Sequence, residues 1–396
     1  MEISTAWDSN AGTLTANVGS LFLNDGGTLN SRSGIQFLSG ELVVGSGNAG
    51  AIKVYATDTI SVSGAGSAVS TSTLGDGKAG DVLLDAGNQV AIVNGGRVVS
   101  ESGGQVSGAV VAGSGAGGTV TITAGNAVNI AGQDAVVSTS SFGDGDGGDI
   151  ALNAGSSVQI ANGGLVSADS LALVGAGTGL AGDITITSGD SITLDNGTIS
   201  TRAVTADGGN VNLFAPNLVY LNNSQITTSV ESGFGGGGNI FIDPQFVILN
   251  NSAIIANAFG GPGGNITIIA DNFLASATSI VEASSALSTP GVIQIVSPDN
   301  NVESSIQVLA AAFLDASSQL RGLCSARRTG APSSFAVAGR GGVPVEADGY
   351  LPSFGTQAAT GVAGGAGPVV ADAGGGIGGQ PMMLALVMPD SLNCAR

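Results

Sequence analysis

The chain has 396 residues, of which 43% are hydrophobic, only 4% aromatic and 10% charged, with 67 glycines and a formal net charge of −19. Lysine occurs only at Lys53 and Lys78 and histidine is absent, which excludes a basic face for a phosphate backbone together with histidine-based triads, zinc sites and pH switches. The apolar fraction is too high for acidic disorder, and a core so poor in aromatics must be built from Val, Ile, Leu and Ala, which favour closely stacked strands.

The opening residues, MEISTAWDSN, show neither the basic nor the apolar region of a secretory signal. Residues 1–49 are read as N-terminal coils or the start of repeats. From residue 50 to 305 one unit recurs, beginning at Gly50, Gly80, Gly118, Gly148, Gly182, Gly209, Gly238 and Gly264, with a degenerate copy at Gly291, at spacings of roughly 26 to 38 residues.

The copy at Gly182 shows the pattern most clearly. Asp183-Ile184-Thr185-Ile186-Thr187 alternates, Ser188-Gly189-Asp190 breaks the run, Ile192-Thr193-Leu194 alternates again, and Asp195-Asn196-Gly197 turns into Thr198-Ile199-Ser200-Thr201. Period-two alternation puts the apolar side chains on one face and Thr, Asn and Ser on the other. Val82, Val120, Ile150, Ile184, Val211, Ile240 and Ile266 hold one position of the first strand, while Ile92, Ile130, Ile160, Leu194, Leu221 and Leu249 hold one of the second.

A single three-stranded unit cannot hide its apolar face, whereas stacked units form a continuous core. The predicted fold is therefore all-β, a parallel β-helix of about nine coils, on the order of 40 Å long at a strand spacing of ~4.8 Å. Asn94-Gly95, Asn162-Gly163 and Asn196-Gly197 share one corner of the unit, and Asn222-Asn223 and Asn250-Asn251 replace them later. That corner asks for residues that tolerate positive φ, and a stacked asparagine can bond to its copy in the next coil. The competing reading makes each Asn-Gly a hairpin turn of an antiparallel sandwich.

Three stretches in the repeats invite a chemical reading. Asp149 and Asp183 fall at equivalent positions of consecutive coils, as the paired acids of a β-helix polysaccharide lyase or hydrolase would. Thr119, Asn210, Asn239 and Asn265 fill the same slot, so the simpler expectation is a turn residue bonding its own backbone. Lys53, Lys78, Arg97 and Arg202 are too few and too scattered in sequence for an acidic-sugar site. Asp144-Gly145-Asp146-Gly147-Gly148-Asp149 resembles a calcium loop, but lacks both nonapeptide repetition and a downstream glutamate, so a solvated loop is expected. The Gly235 to Gly238 run is read as an inter-coil loop and not a phosphate cradle, because no helix is expected after it.

Beyond about residue 300 the pattern changes. Leu309, Phe313, Leu314 and Leu320 are spaced for a short amphipathic helix, and 306–354 is expected to cap the open end of the stack. Residues 355–396 form a Gly/Ala-rich tail, with 355 to about 380 as a linker and Met382 to Arg396 as a final stretch. Met382 to Met388 is too short to span a membrane. Cys324 and Cys394 permit one disulfide, with two buried thiols as the alternative. Arg327-Arg328 is read as a solvated pair beside the cap.

The Gly-Gly-(Asp/Asn)-Ile-x-Ile openings resemble the β-strand repeats of filamentous haemagglutinin-like exoproteins, which are exported by two-partner secretion. Ala312-Phe313-Leu314-Asp315-Ala316, Cys324, Arg327-Arg328, Ser333-Ser334-Phe335 and Gly339-Arg340-Gly341-Gly342-Val343-Pro344 look like the end region of that family. The resemblance covers roughly residues 12 to 355. It implies a right-handed parallel β-helix shown at the outer cell surface or outside the cell, exported through an outer-membrane transporter and used in attachment to host or bacterial glycans or proteins. Family members carry a signal peptide and a secretion domain, so this chain is expected to be the distal part of a longer exoprotein or a truncated gene product. The expected role is non-enzymatic, with no catalytic, cofactor-binding or metal-binding residues, no cofactor, no nucleic acid and no integral membrane segment. A carbohydrate-active β-helix enzyme and a structural spacer are the alternatives.

Overall fold

A computed structural model describes residues 1–297, apart from 6–8, 37–41, 44, 107–108, 112 and 172–176. The expected cap at 306–354, its amphipathic helix, the tail at 355–396 and the cysteine pair lie outside the described residues.

The described residues form a β-solenoid of about nine turns. Three parallel sheets of ten, ten and nine strands run along it. Each repeat gives its first strand to the first sheet, its second to the second and its third to the third. In the copy at Gly182 these strands are Ile184–Ser188, Ser191–Asp195 and Thr198–Ser200. Each pairs in register with the same strand of the next copy: Ile184 faces Val211, Ile192 faces Val219 and Ile199 faces Ile226. Parallel pairing throughout the three sheets excludes the antiparallel sandwich.

The N-terminal segment supplies one more coil than the eight openings from Gly50 and the degenerate copy. Leu14–Val18 and Leu21–Asn24 pair with the strands of the Gly50 unit, and Thr28–Ser33 joins the third sheet between Glu2–Thr5 and Ala68–Ser70. The degenerate copy is also in register, as Ile293–Val296 pairs with the strand from Ile266.

Alternation produces the core. Val54, Leu84, Ile122, Leu152, Ile186, Leu213, Ile242 and Ile268 stack rung over rung along the first sheet, and all are fully buried. Ile92, Ile130, Ile160, Leu194, Leu221 and Leu249 do the same along the second. Each such side chain contributes roughly 1.5–3 kcal/mol on leaving water, so a ladder of medium-sized residues substitutes for a few large aromatics.

Two devices close the coils. Between the third strand and the next first strand, the opening glycines lie directly above one another. A Cβ on Gly182 would fall within the carbonyl group of Gly148, and the same holds for Gly209 over Gly182 and Gly238 over Gly209. Close approach of backbone to backbone, with no demand for positive φ, therefore fixes this residue type. In four of the coils a buried hydroxyl also closes the loop between the third strand and the next opening glycine: Thr71, Thr139, Thr201 and Thr228 donate to the carbonyl oxygens of Gly80, Gly148, Gly209 and Gly238.

The corner between the second and third strands behaves as its asparagines predict. Asn94, Asn162 and Asn196 each have φ 53°, while Asn223 and Asn251 have φ 47° and 46°. Hairpins do occur, but elsewhere: Ile35–Gln36 with Leu42–Val43, and Gly104–Val106 with Ala109–Val111, are antiparallel pairs inserted after the third strands of two coils.

Candidate functional site

The column of residues that follows each opening glycine brings Asp149 and Asp183 into adjacent coils, as the repeat predicts. The expected hydrogen bond to their own backbone is not what forms. Asp149 Oδ1 accepts the backbone N–H of Asp183 at 2.9 Å, and Asp183 Oδ1 accepts that of Asn210 at 2.7 Å. The relay continues from Asn210 to Asn239 and from Asn239 to Asn265 at 3.0 and 2.9 Å, and Asp81 starts a similar step to Thr119 at 3.0 Å. A one-coil offset aims each short side chain at the next backbone. Acid and amide serve equally well because each supplies an acceptor oxygen.

The candidate calcium loop is engaged in the same way. Asp144, Asp146 and Asp149 accept the N–H groups of Gly177, Leu180 and Asp183 at 2.9, 2.8 and 2.9 Å. Among the described residues, no three metal-ligating side chains converge. Asp146, Asp149, Asp183 and Asp207 line a shallow groove of about 650 Å³ with Phe234 on it, a ring 88% exposed. The strand Ile240–Asp243 follows Gly235 to Gly238, so no helix N-terminus meets that loop.

A second set of charged groups lies on and just beyond the third strands, where the sequence does not point to one. Arg97 meets Glu101 at 3.8 Å. Glu101 is largely buried, and burial raises its carboxyl above the ordinary value; a hydrogen bond with Ser138 and the charges of Arg97 and Arg32 act in the opposite direction. Two coils further on, Asp169 is buried and accepts from Ser200 Oγ at 2.5 Å and from the Arg202 N–H at 2.7 Å. The Arg202 guanidinium reaches Asp169 and Glu231, each at 3.3 Å. Asp169 is thus an acceptor closed in by its partners, with only 4% of its side chain exposed. It stabilises the stack and has no open side on which to receive a sugar.

Lys53 and Lys78 remain apart from these arginines. Lys53 lies on the first sheet, and Lys78 lies in the loop before Gly80, its N–H donating to Asn48 Oδ1 at 2.8 Å. The two lysines therefore stand apart, whereas Arg32 and Arg97 both act on Glu101 and Arg202 joins Asp169 to Glu231.

The asparagine corner forms a third surface, polar and without formal charge. Asn196, Asn223, Asn251, Thr198 and Gln225 line a groove of about 410 Å³. Asn251 donates to Asn223 at 2.8 Å and Asn250 to Asn222 at 2.7 Å, so the amides form a short ladder from coil to coil. The outward faces of the later coils also carry apolar groups where Thr, Asn and Ser are expected. Phe214 and Phe241 lie 5.6 Å apart, and Phe214, Phe246, Ile269 and Leu274 are exposed.

Among the described residues no helix is long and apolar enough to cross a membrane. No family model, curated protein or solved structure matches the chain.

Proposed function

We propose that the chain is a non-enzymatic contact segment of a surface-displayed, haemagglutinin-type exoprotein, which attaches to neutral glycans or to proteins and is exported through an outer-membrane transporter of the two-partner type. The observation that carries this reading is the engagement of the stacked acids. Asp149 and Asp183, the pair best placed for hydrolytic chemistry, are acceptors for the next coil's backbone. Both side chains are exposed, but each gives its Oδ1 to the backbone of the next coil, so a scaffold role already accounts for an acceptor at both positions, and an asparagine fills the same slot at Asn210 and Asn239.

The amide- and hydroxyl-lined corner supplies what attachment requires. Its groove spans the coils that carry Asn196, Asn223 and Asn251, offers donors and acceptors side by side, and is lined by no charged side chain. The chain's charge of −19 disfavours anionic partners such as acidic polysaccharides. The family resemblance of residues 312–344 and of the repeat openings supports the secreted setting.

The test is a panel of immobilised neutral and acidic polysaccharides with the purified chain in solution. Saturable binding to neutral polymers, lost in a Thr198→Ala/Gln225→Ala variant that keeps its fold, is the expected result. Progressive release of shortened sugars from any of the polymers would instead assign a carbohydrate-active enzyme. Retained attachment by a full-length exoprotein from which two whole coils have been deleted would assign a spacer.

A further inference from the structure

Three Asn-Gly steps occupy the same corner of three coils, and their asparagines have the same φ of 53° and exposed side chains. They differ in what holds the glycine N–H. Gly163 donates to the carbonyl of Asn196 at 2.7 Å, and Gly197 donates to Ser224 Oγ at 3.1 Å. The N–H of Gly95 meets no acceptor among the described residues.

The next coil is built differently at this corner. Between Val93 and Arg97 the corner has residues 94–96, whereas the corner stacked on it, between Ala131 and Val136, has residues 132–135. That corner is one residue longer. The bond from Asn94 N–H to the carbonyl of Ala131 survives at 2.9 Å, but the step to Gly95 is lost. A buried N–H without a partner is uncommon and leaves the peptide easier to displace.

We propose that Asn94 is a built-in site of spontaneous deamidation, with the neighbouring backbone as its own reagent and water as the only co-reactant. The Gly95 nitrogen, on losing its proton to base, attacks the Asn94 side-chain amide carbon. A C–N bond forms, the amide C–N bond breaks, and ammonia leaves to give a five-membered succinimide. Water then opens either ring carbonyl, leaving aspartate or isoaspartate at position 94. Glycine at position 95 places no Cβ in the path of the attack. Asn162 and Asn196 carry the same sequence element, but their glycine N–H groups must first give up a hydrogen bond.

The modification adds one negative charge to an exposed corner. Its isoaspartate form also inserts a methylene into the main chain beside Gly95, where a Cβ would already approach the Ala65 Cα at 3.2 Å. Deamidation at this site is therefore expected to loosen the stacking of the Gly50, Gly80 and Gly118 coils and to leave the later coils intact.

Peptide mapping by mass spectrometry, after incubation of the folded chain in mildly alkaline heavy-oxygen water, reads the three sites together. The Asn94 peptide should convert at least about fivefold faster than those of Asn162 and Asn196, the factor expected from one hydrogen bond's difference. In urea the three rates should converge, since each asparagine precedes glycine. Equal rates in the folded chain, faster conversion at Asn162 or Asn196, or an Asn94 advantage that persists in urea would each overturn the proposal. So would an intact Asn94 in the folded chain over a period that converts the unfolded chain.

Discussion

The Asp183 backbone N–H donates to the Asp149 carboxylate at 2.9 Å, joining one coil to the next through a side chain that looks catalytic in sequence. Because Asn210, Asn239 and Asn265 carry the same relay forward, the slot requires an acceptor oxygen and has no need of a charge. Asp183→Asn is expected to leave the unfolding midpoint essentially unchanged. Asp183→Ala removes the acceptor for Asn210 and should cost about 1 kcal/mol. Chemical denaturation of the two variants checks this; equal losses would show that charge, and not the acceptor, matters.

Glu101 gives the fold a pH dependence of definite sign. Burial raises its carboxyl in the folded chain, so the folded state holds this proton more tightly than the unfolded chain does. The group therefore contributes its full stability below its unfolded value, near the ordinary 4.5, and loses it as pH rises through the raised folded value. Glu101→Gln should stabilise the protein at neutral pH, and the gain should vanish in acid. A variant less stable than the parent at neutral pH would show that the pairing of Glu101 with Arg97 outweighs its burial.

The glycine stack separates positions that look alike in sequence. A methyl group at Gly182 meets the backbone of Gly148, which no rotamer change can relieve, whereas one at Gly19 meets nothing within 4 Å. Gly182→Ala is expected to cost about 3 kcal/mol through overpacking, and Gly19→Ala to be tolerated. Thermal unfolding followed by circular dichroism distinguishes them. Similar midpoints for both variants would contradict the backbone contact.

Much of the architecture is legible in the sequence because period and turn chemistry agree. The alternation from Ile184 to Thr187, the Asn-Gly corners and the recurring opening glycines all point to the same stack, and one coil's apolar pattern repeats in the next. The partners of the charged groups are less legible. A short acceptor after Gly-Gly suits a bond to its own backbone and a bond to the next coil equally, so residue type alone does not separate the two outcomes at Asp149. Arg202 and Asp169 are 33 residues apart, and loops of variable length between coils hide the register that joins them. The inserted hairpin at Gly104–Val106 and Ala109–Val111 likewise follows a Gly-Gly step that resembles every other loop.

The claim most open to a single test is that distance follows coil number and not sequence separation. Spin labels on cysteines placed at outward positions of the second sheet, pairing Ser61 with Thr193 and then with Ile248, measure it by pulsed electron resonance. Four and six coil steps separate these pairs. Backbone separations of about 19 and 29 Å, rising by ~4.8 Å per step, are expected. Distances that fail to increase with coil number would contradict the stacked solenoid and, with it, the contact surface placed on its corner.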